Sequence, residues 1–200
     1  MANLDLDLAG TAVLAMDFQQ GIVSIHPMVK ERNVVQKAKT VVERARRVGV
    51  PVIHVVIQFR DGYPEVSSRN RIFSAVKQGA FPKQRGPHII GSEETKIVKD
   101  LSPAEGEVIV NRPRVNPFYN SELQSILSAK EVHTLALMGI TTEWIVEATA
   151  RHAADADYRV IVLEDCCAGM IVEAHDSAIK HILNLIAEVS TSEEFVANLK

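Results

Sequence analysis

The stretch TLALMGITTEWIVEATARHAADADYRVIVL, residues 134–163, decides the fold. An apolar run at 134–138 leads into a Gly-Ile-Thr-Thr turn, then a segment of helical period, then a second apolar run at 159–163. The pattern reads as strand, turn, helix, strand. The turn falls at the carboxyl end of the first strand and the amino end of the helix. In open α/β sheets that crevice is where ligands bind. Backbone N–H groups in the first turn of a helix lack intrahelical partners and favour negative charge. The first helical turn holds Trp144, Ile145 and Val146, none of them a nucleophile.

Working outward, apolar runs alternate with helical patterns. Residues 11–16 and 51–57 read as the first two strands, with a helix between them that starts at Asn33. Gln36 lies three residues after Asn33 and suggests a capping box. Val34, Val35, Ala38, Val41, Val42 and Ala45 form one apolar stripe, and Gly49 ends the helix. Strands are expected at 107–110, 134–138, 159–163 and 188–190. Helices are expected at 121–129, 142–155, 173–186 and 192–197. Val- and Ile-rich strands separated by helices imply a sheet buried on both faces. The expectation is one domain over 1–200: three α/β/α layers around a mostly parallel, six-stranded, Rossmann-like sheet. The least regular part is 59–101, with glycine and proline clusters around Gly62-Tyr63-Pro64 and from Gly79 to Gly91. Short helices are expected there at 70–77 and near 92–100. Long connections of this kind are often functional.

The 200 residues suffice for a sizeable core, and 46% hydrophobic with 24% charged residues is the balance of a soluble globular chain. A net charge of −3 gives no electrostatic case for nucleic acid or an anionic membrane. Arg44, Arg46 and Arg47 cluster on a helix and read as a solvated face. No run of 18 apolar residues occurs, so no membrane span is expected. The opening MANLDLDLAG has no basic region of the kind that starts a secretory signal. Cys166 and Cys167 are adjacent and cannot staple distant segments, which points to a reducing cytoplasm.

Asp17 directly follows the first strand. A carboxylate there can serve as a general acid or base, because partial burial raises its proton affinity, or it can be an ordinary turn residue. Arg112 and Arg114 follow the third strand in VIVNRPRVNPF, residues 108–118. An arginine fork suits a carboxylate ligand, and Pro113 and Pro117 stiffen the segment that presents it. Phe118 and Tyr119 wall a pocket or pack in the core. Gln19, Arg60, Tyr63 and Trp144 are further pocket candidates. The seven histidines show no metal-ligand spacing, and no glycine-rich phosphate loop occurs. No metal and no cofactor are expected, and His54 reads as a satisfied strand histidine.

Four blocks together resemble the isochorismatase-like hydrolase superfamily, which includes nicotinamidases and N-carbamoylsarcosine amidases. They are TAVLAMDFQQGIV (11–23), VIVNRPRVNPFYNSEL (108–123), LMGITTEWIVEATARHAADADYRVIVLED (137–165) and EAHDSAI (173–179). The resemblance implies that Asp17 is the acid/base aspartate. It implies a cis peptide between Ile140 and Thr141, and relatives that assemble as dimers or tetramers. It also exposes departures. The nucleophilic cysteine of the family falls at Ile145, and an aliphatic side chain forms no covalent acyl intermediate. The catalytic lysine falls at Arg112, which keeps the charge without a tuned proton. Isochorismatase members of the superfamily lack the cysteine and cleave a vinyl ether with the aspartate. That precedent implies a hydrolase using water, with Asp17 and Arg112 as catalytic residues and a small, anionic substrate. Gln19, Phe118, Ile140, Thr141, Thr142, Trp144 and Ile145 would bind that substrate. Backbone N–H groups near 142–145 would receive the anion. Two other readings stay open. One is a silent member that binds a metabolite or a protein partner. The other is an amidase that uses Cys166 or Cys167, which would need a lowered thiol pKa.

Overall fold

The computed structural model describes residues 4–79 and 88–200. Six strands, β1 (Thr11–Met16), β2 (Val52–Val56), β3 (Val108–Asn111), β4 (Thr134–Ile140), β5 (Arg159–Ala168) and β6 (Glu188–Ser190), form one sheet in the order β3-β2-β1-β4-β5-β6. Every pairing is parallel. The order reverses between β1 and β4, so the crevice at the carboxyl ends of this pair is the topological switch point.

The period of two along each strand splits the core into two layers. Val13 and Ala15 of β1 face one side, where they meet Val34, Ala38, Val41 and Val42 of the helix Val34–Arg47 and Phe195 of the C-terminal helix Ser192–Asn198. Ala12, Leu14 and Met16 face the other, against Leu123 and Leu127 of helix Leu123–Ala129 and Ala150 and Ala153 of helix Glu147–Asp155. The uninterrupted burial of β1, β2 and β4 explains their unbroken apolar sequences.

Several local expectations are corrected. Asn33 does not cap the helix Val34–Arg47 with its side chain. It takes a left-handed backbone at φ +54°, which asparagine tolerates, so the helix begins at Val34. The helix expected near 92–100 is two short 3₁₀ turns, Glu93–Thr95 and Lys99–Leu101. Between them the chain is extended, because its backbone pairs outward: the Gln20 N–H donates to the Lys96 carbonyl and the Val98 N–H to the Phe18 carbonyl, both at 2.9 Å. Helices 142–155 and 173–186 each include a π turn, Thr142–Val146 and Ile179–Leu183. Strand β5 runs past 163 to Ala168, so Cys166 and Cys167 lie within it rather than after it. Its polar interruption, Glu164-Asp165, is accommodated because the Asp165 carboxylate accepts from the Ser192 N–H and hydroxyl, both at 2.7 Å. Arg46 is not simply solvated: its guanidinium forks onto Glu107 at 2.7 and 2.8 Å. The helix expected at 70–77 is present as Arg71–Lys77, with Asn70 accepting from the Phe73 N–H at 3.0 Å. The part of the Gly79–Gly91 cluster at 80–87 lies outside the described residues.

Candidate active site

Asp17 is the first residue after β1. Its N–H still donates to the Val55 carbonyl at 2.8 Å, so its position is fixed by the sheet. Its φ of +58° is left-handed, a conformation costly for most residues and often found where a side chain is aimed for function. Arg112 is the first residue after β3, and its N–H continues the β2 ladder to Val56 at 2.9 Å. The guanidinium reaches across the end of β2 to Asp17. Nε donates to Oδ1 at 3.0 Å and Nη2 donates to Oδ2. Nη1 donates to the Arg114 carbonyl at 2.7 Å, so the Pro113 turn orients the fork. Asp17 is 2% and Arg112 6% exposed, which makes this a buried bidentate ion pair.

The pair sits in a cavity that it shares with Thr141, His88, Trp144 and Ile145. Ile22, Ile57 and Val115, with Ile72, Phe73 and Val76 of helix Arg71–Lys77, complete the wall. The space open to the centre of a water molecule is about 20 Å³, room for a single water. Ile145 presents only hydrocarbon to this cavity.

The peptide between Ile140 and Thr141 is cis. The carbonyl of Thr141 accepts from the Trp144 N–H at 3.2 Å and the Ile145 N–H at 3.1 Å. Two of the backbone donors expected to receive an anion are therefore spent on the turn itself. The hydroxyl of Thr141 meets His26 Nε2 at 3.3 Å, while His26 Nδ1 donates to the Ile22 carbonyl at 2.7 Å. Thr142 is fully buried and bonds His175 Nδ1 at 2.8 Å, and burial pushes the His175 pKa down.

The other candidates separate from the cavity. Gln19 is fully buried and ties backbone together. Its amide donates to the carbonyls of Ile57 at 3.1 Å and Thr95 at 2.9 Å and accepts from the Ile57 N–H at 2.8 Å. Phe118 stacks on His152 with centroids 4.3 Å apart and belongs to the core, whereas Tyr119 is exposed. Ile140 is a core residue of β4. Arg60 pairs with Glu65 on the surface, and Tyr63 packs against Phe59. His54 meets Glu107 at 3.0 Å with its pKa lowered by burial, a satisfied strand histidine as read from the sequence. Cys166 and Cys167 are fully buried. Burial raises the Cys166 thiol pKa well above its usual value and that of Cys167 to about 12. The sequence reading missed His88 as a cavity residue. The signal available was its place in the irregular connection, where functional side chains concentrate.

Residues 11–194 match the isochorismatase domain model. An uncharacterised isochorismatase-family protein of Bacillus subtilis is 27% identical over the full length of both chains. A ureidoacrylate amidohydrolase of Acinetobacter baylyi is 26% identical over 93% of this chain and 82% of its own. A cysteine hydrolase structure from Pseudomonas syringae pv. phaseolicola superposes with a TM-score of 0.86 at 22% identity, covering 97% of this chain and 94% of that one. This last likeness is one of fold.

Proposed function

The chain belongs to the isochorismatase family of hydrolases, and from that premise we propose that it hydrolyses a small anionic metabolite with water by acid/base catalysis, without a covalent enzyme intermediate. The observation that carries this reading is the buried Asp17–Arg112 pair in a cavity whose described lining, Ile145 included, offers no thiol. A thioester route needs a thiolate, and the two thiols of the chain are buried with raised pKa values. Asp17 is placed to orient a water and exchange protons with it. Arg112 has five N–H groups. Two go to Asp17 and one to the Arg114 carbonyl, so one remains on each terminal nitrogen. Two such donors on neighbouring nitrogens suit a substrate carboxylate.

A metabolite is larger than the single water that the cavity admits. Substrate entry therefore requires the lining of the cavity to move. That closure, with both Asp17 oxygens held by Arg112, favours the second reading, a silent member that binds a ligand without turning it over.

Turnover on isochorismate, nicotinamide and N-carbamoyl amides separates the two, with Asp17→Asn as the control and circular dichroism to verify folding. Hydrolysis that the substitution abolishes is the expected result. Binding of a panel member without turnover by the unsubstituted protein would favour the silent reading.

A further inference from the structure

Hydrolysis moves two protons. One leaves the attacking water, and another must reach the departing atom unless that atom leaves as a stable anion. Asp17, ionised in its pair with Arg112, offers lone pairs for the first transfer but carries no proton to give in the second. Among the described residues that line the cavity, the ionisable side chains are Asp17, Arg112 and His88. Arginine does not give up its proton at ordinary pH. Imidazole does so readily near neutrality.

The backbone around His88 is built to hold the ring in place. The residue is 2% exposed, and its φ of +51° turns the chain sharply. Its carbonyl accepts from the Phe59 N–H at 2.8 Å, and the Ile90 N–H donates to the Phe59 carbonyl at 2.9 Å. Phe59 is fully buried and packs edge-on against Phe73, itself a wall of the cavity, at 5.4 Å.

We propose that His88 is a second catalytic residue of this site, the general acid that protonates the leaving atom. The assignment rests on the water-based hydrolase reading and deepens it. A substrate carboxylate bound beside the Asp17–Arg112 pair adds a negative charge to the described lining of the cavity, and a nearby negative charge favours the cationic form of an imidazole. Asp17 takes a proton as the water oxygen bonds to the substrate carbon. His88 releases its proton to the leaving oxygen as the carbon–oxygen bond breaks. Asp17 then holds the proton that His88 lost, and exchange with solvent restores both.

Two esters with one acyl group test this: monoethyl succinate, whose alkoxide must be protonated, and mono(4-nitrophenyl) succinate, whose phenolate need not be. The variant is His88→Asn, since asparagine tolerates the left-handed backbone and keeps hydrogen-bonding atoms but cannot shuttle a proton. The rate on the ethyl ester should fall by about 10²-fold or more, and the loss on the nitrophenyl ester should be at least about tenfold smaller. Equal losses, no loss, or an unsubstituted protein that cleaves the nitrophenyl ester alone would overturn the role of His88. If Asp17→Asn silences both esters while His88→Asn shows no such difference, the hydrolase reading stands and this assignment falls. If the unsubstituted protein cleaves neither ester, this assignment falls, and turnover on isochorismate, nicotinamide and N-carbamoyl amides decides the hydrolase reading by itself.

Discussion

At the scale of single residues, cysteine reactivity is controlled by the fraction of thiolate. Cys166 and Cys167 occupy consecutive positions of β5, and their side chains point into opposite layers of the core. With the Cys167 pKa at about 12, fewer than about one side chain in 10⁴ is ionised at pH 7.4. Both thiols should stay unmodified by Ellman's reagent over an hour in the folded protein and react fully in guanidinium. Rapid labelling of the native protein would restore the reading in which one of them is a nucleophile. The same scale shows what a sequence discloses. Asp17 and Arg112 were legible because each directly follows a strand, and strand ends in parallel sheets face the site. That they form one ion pair was not legible, because 95 residues separate them. Gln19 was misleading because a polar residue next to a strand end looks like a ligand contact, whereas this amide is used up on backbone groups.

At the scale of elements, strand interiors were easy to locate and boundaries were not. An apolar run marks the part of a strand buried on both faces. It is blind to the extra residues of β5, where Asp165 is satisfied by the backbone N–H and hydroxyl of Ser192 in the C-terminal helix. It is equally blind to the extended segment between the two 3₁₀ turns, whose conformation is dictated by partners near residues 18–20. Gly139 is a case where the element itself demands one residue type. It lies beside Met16 in the β4–β1 register, and a β-carbon there would stand 2.8 Å from the Met16 carbonyl oxygen and 2.9 Å from its β-carbon. The obstacle is backbone, so it cannot rotate away. Gly139→Ala should cost about 1–3 kcal/mol of stability by spreading the two central strands at the switch point. Urea unfolding should show a lower midpoint at unchanged slope. A midpoint equal to that of the unsubstituted protein would mean that the strands part without penalty.

At the scale of the whole molecule, the Asp17–Arg112 pair joins the end of β1 to the end of β3 across the intervening β2. A buried ion pair is an inefficient way to secure that junction. Both charges lose water on burial, and their attraction only roughly offsets the loss. Breaking the pair is different, because it strands one charge in the interior. Asp17→Asn and Arg112→Met should therefore each destabilise the fold by about 3–5 kcal/mol, while Asp17→Leu combined with Arg112→Met should return to within about 1–2 kcal/mol of the starting stability or exceed it. Denaturant unfolding of the three variants measures this, and comparing the double substitution with its component single ones gives the coupling energy. Single losses below about 1 kcal/mol would show that water reaches the pair and that the site is open in solution. Strong single losses with recovery in the double variant would mean that stability does not require these charges. The sheet, helices and core would then hold without them, and the reason for two ionised groups at the switch point would lie in the chemistry of the cavity.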